Sequence, residues 1–122
     1  MIAPLPGELR AAVDALEAIC SALEMFGDDR EHIAEIVKAR RTLAGEFMAI
    51  SSTLDGSGLP NATIEQARSR LTALRHIVSL HQADWPIMAA RDDPEGYRTS
   101  AMRAASASRD FIDWMRRLPQ QM

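Results

Sequence analysis

Apolar residues recur along this chain at spacings of three and four positions, in four separate stretches. Such spacings bring residues to one face of a helix, whereas a strand would require a spacing of two. Amphipathic helices of this kind can bury their apolar faces only against one another. The pattern therefore predicts an all-α protein, an antiparallel up-down four-helix bundle. The four stripes are Leu5, Leu9, Val13, Leu16, Ile19, Leu23 and Phe26; Ile33, Ile36, Arg40, Leu43, Phe47, Ile50 and Leu54; Ile64, Ala67, Leu71, Leu74, Val78, His81, Trp85 and Met88; and Tyr97, Ala101, Ala104, Ser108, Phe111, Met115 and Leu118.

Glycine, proline and capping residues predict the ends of the first two helices. The first helix follows residues 4–7 and ends at Gly27, which can turn left-handed without a steric penalty. Asp28 then caps the second helix, which ends near Leu54. Because the connection between them is short, these two helices are expected to be antiparallel neighbours. Residues 55–61 form a flexible linker after the second helix.

The third stripe contains a proline. A capping box over residues 63–66 begins the third helix, which runs to about Arg91. Pro86 lacks a backbone N–H and disfavours helical angles at the residue before it. We therefore expect the third helix to be kinked near Pro86, or briefly broken, within residues 82–86.

The start of the fourth helix is predicted by Asp93 and Pro94, since proline is favoured at the first helical position. This helix is expected to end before Pro119. At this length the whole chain, residues 1–122, is predicted to be a single helical-bundle domain. Because the fourth stripe is rich in alanine, apolar area can stay uncovered, and a homodimer is an open alternative.

Charge and hydropathy argue against several partners. The chain has 14 basic and 17 acidic residues and a net charge of −3, so it has no basic excess to hold a nucleic-acid backbone. No apolar run is long enough to span a membrane, and the first seven residues lack the features of a signal peptide. We therefore expect a cytoplasmic protein. Its lone cysteine, Cys20, cannot form an internal disulfide and is expected to be a buried, inert thiol.

Three positions of the apolar stripes carry polar side chains, namely Arg40, His81 and Ser108. When the chain is folded at its connections, all three fall at a similar height, close to Glu17 and Cys20. One interpretation is a structural layer that fixes the register of the helices, with Arg40 paired to Glu17. His81 would then pair with Ser108; alternatively, Arg40 extends to the bundle surface. The functional interpretation is a small anion or carboxylate site that uses the guanidinium group and the imidazole.

Catalytic and cofactor sites are not indicated. No nucleophile, base and orienting residue occur together in a recognisable motif, so the protein is predicted not to be an enzyme. Its histidines, His32, His76 and His81, lack the spacing and the carboxylate partners of a di-iron bundle, and no cofactor is expected. Two alternatives stay open. One is a small-ligand or metal-binding bundle, and the other is a histidine phosphotransfer domain that uses His76 or His32 without the His-x-x-Lys-Gly signature.

The C-terminal segment combines residue types that are enriched in the cores of protein interfaces. Four of its residues follow the i, i+3, i+4 and i+7 spacing with which an amphipathic helix engages a partner helix. The predicted function is therefore a non-enzymatic module that binds a helical or amphipathic segment of another protein. The predicted partner-binding surface consists of Phe111, Trp114, Met115 and Leu118.

Two segments of the chain also carry a family resemblance. They are Gly27-Asp28-Asp29 with Ile33, Ile36, Val37, Arg41 and Leu43, and Leu80-His81-Gln82-Ala83-Asp84-Trp85-Pro86-Ile87-Met88-Ala89-Ala90 with Gly96. Together they resemble the flagellar export chaperones of the FlgN type. The resemblance implies a bacterial, cytoplasmic, non-enzymatic helical chaperone that holds a secreted subunit of the flagellum through its C-terminal amphipathic helix. Gln82 and Asp84 stand where that family often has asparagines.

Overall fold

Four α-helices make up the architecture of the protein. A computed structural model describes residues 5–26, 33–85 and 93–121. Helix α1 spans Gly7–Phe26, α2 spans Ile33–Asp55, α3 spans Asn61–Asp84 and α4 spans Pro94–Gln121. Each helix packs on the next one along the chain, and α1 also packs on α4. The predicted all-α, antiparallel up-down four-helix bundle is confirmed. None of the described helices is both long and apolar enough to cross a membrane.

The core is concentrated towards one end of the bundle, the end at which residues 56–60 connect α2 to α3; we call it the linker end. All four helices contribute to the core cluster, and burying each large apolar side chain contributes about 1.5–3 kcal/mol. We call the opposite end, where α4 begins, the cavity end. The largest fully buried side chains are Leu9, Val13, Leu16, Ile50, Leu54, Met115 and Leu118.

At the linker end the connection is shorter than predicted. Helix α3 begins at Asn61, with no side-chain cap, so the predicted capping box over residues 63–66 is wrong and its first residue already lies inside the helix. The Ser57 hydroxyl donates to the carbonyl oxygen of Leu54 at 2.8 Å. Gly58 adopts a φ of 77°, a conformation that glycine reaches without steric penalty. These features let five residues reverse the chain.

Helix α3 ends where the proline predicts a disturbance. Its last residue is Asp84, and the N–H of Trp85 closes the final turn on the carbonyl oxygen of His81 at 2.9 Å. Trp85 has φ −126° and ψ 70°, outside the helical region, as expected for a residue before proline. The described helix therefore ends at this point. Pro86 itself and the predicted helical end at Arg91 lie outside the described residues.

For α4, the predicted start is confirmed and the predicted end is wrong. Helix α4 begins at Pro94, and the Asp93 carboxylate accepts a hydrogen bond from the Gly96 N–H at 3.0 Å, as a capping residue does. The prediction that α4 ends before Pro119 is wrong, because the helix continues to Gln121. Near a helix end, a proline removes one backbone hydrogen bond, and burial of Leu118 holds the turn before it. Gly27, the predicted end of α1, and Asp28, the predicted cap of α2, lie outside the described residues.

Candidate functional site

Small side chains on the N-terminal half of α4 leave a cavity between the four helices at the cavity end. Its volume is about 80 Å³. The predicted polar residues Arg40, His81 and Ser108 all line it, from α2, α3 and α4 respectively. Larger residues at the alanine positions would fill the same space, so the alanine-rich stripe is the local cause of the cavity. The full lining is Cys20, Leu23, Glu24, Ile36, Arg40, Leu43, Val78, His81, Gln82, Tyr97, Ala101, Ala104, Ala105 and Ser108.

Arg40 is half-buried and binds the backbone rather than an acid. Its Nη2 donates to the carbonyl oxygen of Trp85 at 3.1 Å, which ties α2 to the end of α3. The predicted pairing with Glu17 is wrong, because Glu17 accepts hydrogen bonds from Arg116 at 2.7 and 2.9 Å. Arg116 also reaches Asp14 at 2.8 Å, so Asp14 and Glu17 of α1 are both paired with α4. Within residues 5–26, 33–85 and 93–121, no carboxylate forms an ion pair with Arg40.

His81 connects α3 to α4. Its Nδ1 lies 2.7 Å from the Ser100 hydroxyl, and its ring lies 5.5 Å from the Tyr97 ring, centroid to centroid. The predicted pairing of His81 with Ser108 is wrong. The buried Ser108 hydroxyl instead donates to the carbonyl oxygen of Ala104 at 2.9 Å, one turn back along its own helix.

Burial lowers the pKa of His81 below its ordinary value, and the positive charge of Arg40 lowers it further. Asp84 acts in the opposite direction and is the weaker influence. The imidazole is therefore neutral at pH 7, with one ring nitrogen protonated. Arg40 contributes a positive charge to the cavity wall.

Cys20 lines the same cavity from α1 and is half-buried. Burial raises the pKa of its thiol, and Glu24 and Glu17 raise it further, whereas a hydrogen bond with Ser108 lowers it. The thiol is therefore protonated and a poor nucleophile at neutral pH. The sequence predicts a buried thiol, whereas Cys20 is only partly buried. Because it is the chain's single cysteine, it offers a chemical reporter inside the cavity.

The predicted partner-binding surface is wrong. Phe111, Trp114, Met115 and Leu118 are 4%, 6%, 0% and 2% exposed, and all four belong to the core. Trp114 lies one position off the apolar stripe, but the guanidinium carbon of Arg70 lies 4.5 Å from the centroid of its ring and helps to cover it. This part of α4 therefore packs inside the bundle and offers no apolar surface to a partner.

An open groove lies instead between α1 and the N-terminal half of α4. Arg109 pairs with Glu24, only two residues before α1 ends at Phe26. The 28 residues of α4 span about 42 Å, against about 30 Å for the 20 residues of α1, so α4 extends well beyond the end of α1. We call this the α1–α4 groove; it has a volume of about 370 Å³ and is lined by Leu23, Glu24, Tyr97, Arg98, Ala101, Met102, Ala105 and Arg109.

Several of these residues were not identified from the sequence as parts of a site. Tyr97 and Ala101 appear in the fourth stripe, where their spacing predicts only core positions. Met102 and Arg98 lie beside the stripe, and nothing in the spacing shows that α1 ends before it can cover them. The signal available in the sequence is the unequal length of the first and fourth helices.

The alternative chemistries find little support in the described residues. Within them, no group of three or more His, Cys, Asp and Glu side chains could hold a metal ion. His76 is exposed on α3, so the phosphotransfer alternative keeps one accessible histidine, whereas His32 lies outside the described residues. Comparison with known proteins adds no assignment: no family model matches the chain, and no curated protein or solved structure matches it.

Proposed function

We propose that this protein is a non-enzymatic binding module and that the α1–α4 groove receives an amphipathic helical segment of another protein. The observation that carries the proposal is the exposed apolar side of α4 beyond the end of α1. There, Met102 is 66% exposed and Ala101 and Ala105 form part of the groove wall. A helix placed in line with α1 would cover this surface as α1 covers the rest of α4.

The residue types of the groove suit a helical partner. Ala101 and Ala105 have short side chains, which permit close approach of a second helix at the usual spacing of about 8–10 Å. Met102 is flexible and adapts to differently shaped apolar side chains. Arg98 lines the groove, and Arg109 does so while paired with Glu24, which favours a partner with acidic residues beside its apolar face.

A matched pair of methionine variants tests the groove. Met102 is 66% exposed on α4 and Met48 is 64% exposed on α2, so replacing either with lysine perturbs a similar surface without touching the core. Partners captured in lysate by the wild-type protein should be retained by Met48→Lys and lost by Met102→Lys. Capture of the same partner set by Met102→Lys would remove the groove as the binding site.

The identity of the partner and the cellular setting stay predictions. The resemblance to flagellar export chaperones would make the partner a secreted flagellar subunit and the location the bacterial cytoplasm. Helix α4 would still be the binding helix, but through its N-terminal half instead of residues 111–118. Capture of a flagellar hook or filament subunit, lost in Met102→Lys, would support the chaperone assignment. Self-association that is abolished by Met102→Lys would instead make a second copy the occupant.

A further inference from the structure

We propose that the cavity at Arg40 and His81 binds a small carboxylate, one acidic group on a short apolar body. The inference goes beyond the proposed protein partner, because it concerns the interior of the bundle. It stands on three observations: a half-buried guanidinium without an acidic partner among the described residues, hydrogen-bonding groups beside it, and apolar walls around the remaining space.

Arg40 places a positive charge in the wall of the cavity. A cation in a partly buried place is usually neutralised by an acid, because removing it from water is costly. Here Glu24, the acid among the residues that line the cavity, is already paired with Arg109. Among the described residues, the one hydrogen bond of Arg40 goes to the Trp85 carbonyl, so within that part of the chain four of its five N–H donors have no acceptor. An anion in the cavity would supply the counter-charge that the described residues do not provide.

The imidazole provides a second polar group. Ser100 contacts Nδ1 of His81 at 2.7 Å. If the serine hydroxyl donates this hydrogen bond, the proton of the neutral ring is on Nε2. Nε2 has no hydrogen-bond partner among the described residues. Arg40 and His81 can then both donate to one carboxylate, which has two acceptor oxygens.

Size and wall chemistry limit the body of the ligand. The cavity volume of about 80 Å³ is roughly half of the 150 Å³ that holds benzene in an engineered apolar cavity. Space of this size suits a carboxylate of about two to four carbons. Its tail would lie against Leu43, Val78 and Ala104, which line the cavity. Propionate is therefore the natural probe, and propionamide is its neutral analogue of nearly the same shape.

Cys20 allows binding to be measured without a label. The thiol lies in the cavity wall and is the chain's single cysteine, so an occupied cavity should slow its alkylation by iodoacetamide in the folded protein. Propionate should protect Cys20 in a saturable manner, with acetate and butyrate as length controls. Propionamide should bind at least about tenfold more weakly, since it lacks the charge-assisted hydrogen bonds. Equal protection by propionate and propionamide would overturn the proposal, as would the absence of saturable protection by any of the three acids.

Variants assign the effect to the cavity. Arg40→Met should weaken protection by propionate about tenfold or more, whereas Arg41→Met, on the exposed neighbour, should leave it unchanged. Undiminished protection in Arg40→Met would contradict the proposal. If Arg40→Met does not fold, Ala104→Leu provides the second test, because it fills the cavity and keeps the arginine. Unchanged propionate binding in that variant would also contradict it.

One further comparison separates this site from the groove and identifies the source of the carboxylate. Met102 lines the groove and not the cavity, so Met102→Lys should retain propionate binding even though it loses a partner. If propionate displaces a partner captured by the wild-type protein, the carboxylate belongs to a side chain of that partner. If it does not, the ligand is a separate small acid. Failure of partner capture alone leaves the propionate result standing.

Discussion

Two methionines on α4 offer a direct test of which part of this helix is interior and which is surface. Met115 is 0% exposed and Met102 is 66% exposed, so replacing each with alanine makes the same chemical change in opposite environments. Loss of a buried methionine side chain removes apolar burial and leaves a cavity, which costs about 2–5 kcal/mol. The exposed substitution should change the free energy of unfolding by less than about 0.5 kcal/mol, since alanine is also a good helix former.

The expected difference is easily measured. A chain of this length has a stability of roughly 6–18 kcal/mol at about 0.05–0.15 kcal/mol per residue, so Met115→Ala should still fold. With a urea m-value of about 2 kcal/mol/M, its unfolding midpoint, followed by circular dichroism at 222 nm, should fall by about 1–2.5 M. The midpoint of Met102→Ala should remain within about 0.3 M of wild type. Equal midpoints for the two variants would refute the burial of Met115 and restore Phe111, Trp114, Met115 and Leu118 as a candidate binding surface.

Two other substitutions test the cavity end. A Cβ at Gly96 would lie 2.8 Å from the Trp85 ring and would also meet the Asp93 carboxylate, whereas a Cβ at Gly45 meets nothing within 4 Å. Gly96→Ala should therefore lower the free energy of unfolding by about 1–3 kcal/mol, and the control Gly45→Ala should raise it by about 0.5–1 kcal/mol. A gain in stability in Gly96→Ala would contradict the close packing at Gly96. The pKa of His81 is lower in the folded protein than its ordinary value, so the unfolded chain binds more protons at mildly acidic pH. The wild-type protein should therefore lose stability relative to His81→Gln as the pH falls below about 6.5. Parallel profiles of stability against pH for the two proteins would contradict this prediction.

The helices could be predicted from the sequence because each apolar stripe repeats its signal over five or more turns. A single polar residue within a stripe does not alter that periodicity, and it marks a position that faces the interior. Arg40, His81 and Ser108 illustrate this point, since all three line one cavity although they come from three helices. Their hydrogen-bond partners could not be predicted, because a shift of one turn changes which side chain lies within reach. His81 therefore contacts Ser100 instead of Ser108, and Arg40 donates to the Trp85 carbonyl instead of pairing with Glu17.

The error over the partner surface has a different physical origin. Phe111, Trp114, Met115 and Leu118 have the spacing of a binding face, but the same spacing describes a core face. Which of the two occurs depends on whether another helix covers the residues. Here the cover includes a cation: Arg70 lies over the Trp114 ring and shields a position that the stripe alone leaves at its edge. Sequence periodicity identifies a face of a helix, but it does not identify what lies against that face.

The cavity and the groove have one cause in the sequence of α4. Along its C-terminal half the inward positions carry Phe111, Met115 and Leu118, which fill the bundle. Along its N-terminal half Tyr97 is large and buried, but Ala101 and Ala104 leave space beside it. A uniform stripe of large residues would have stabilised the cavity end at about 1.5–3 kcal/mol for each buried side chain. This protein lacks that stabilisation at the end where α1 is also too short to cover α4. Stability is thus concentrated at the linker end, and space for a ligand and a partner is concentrated at the other.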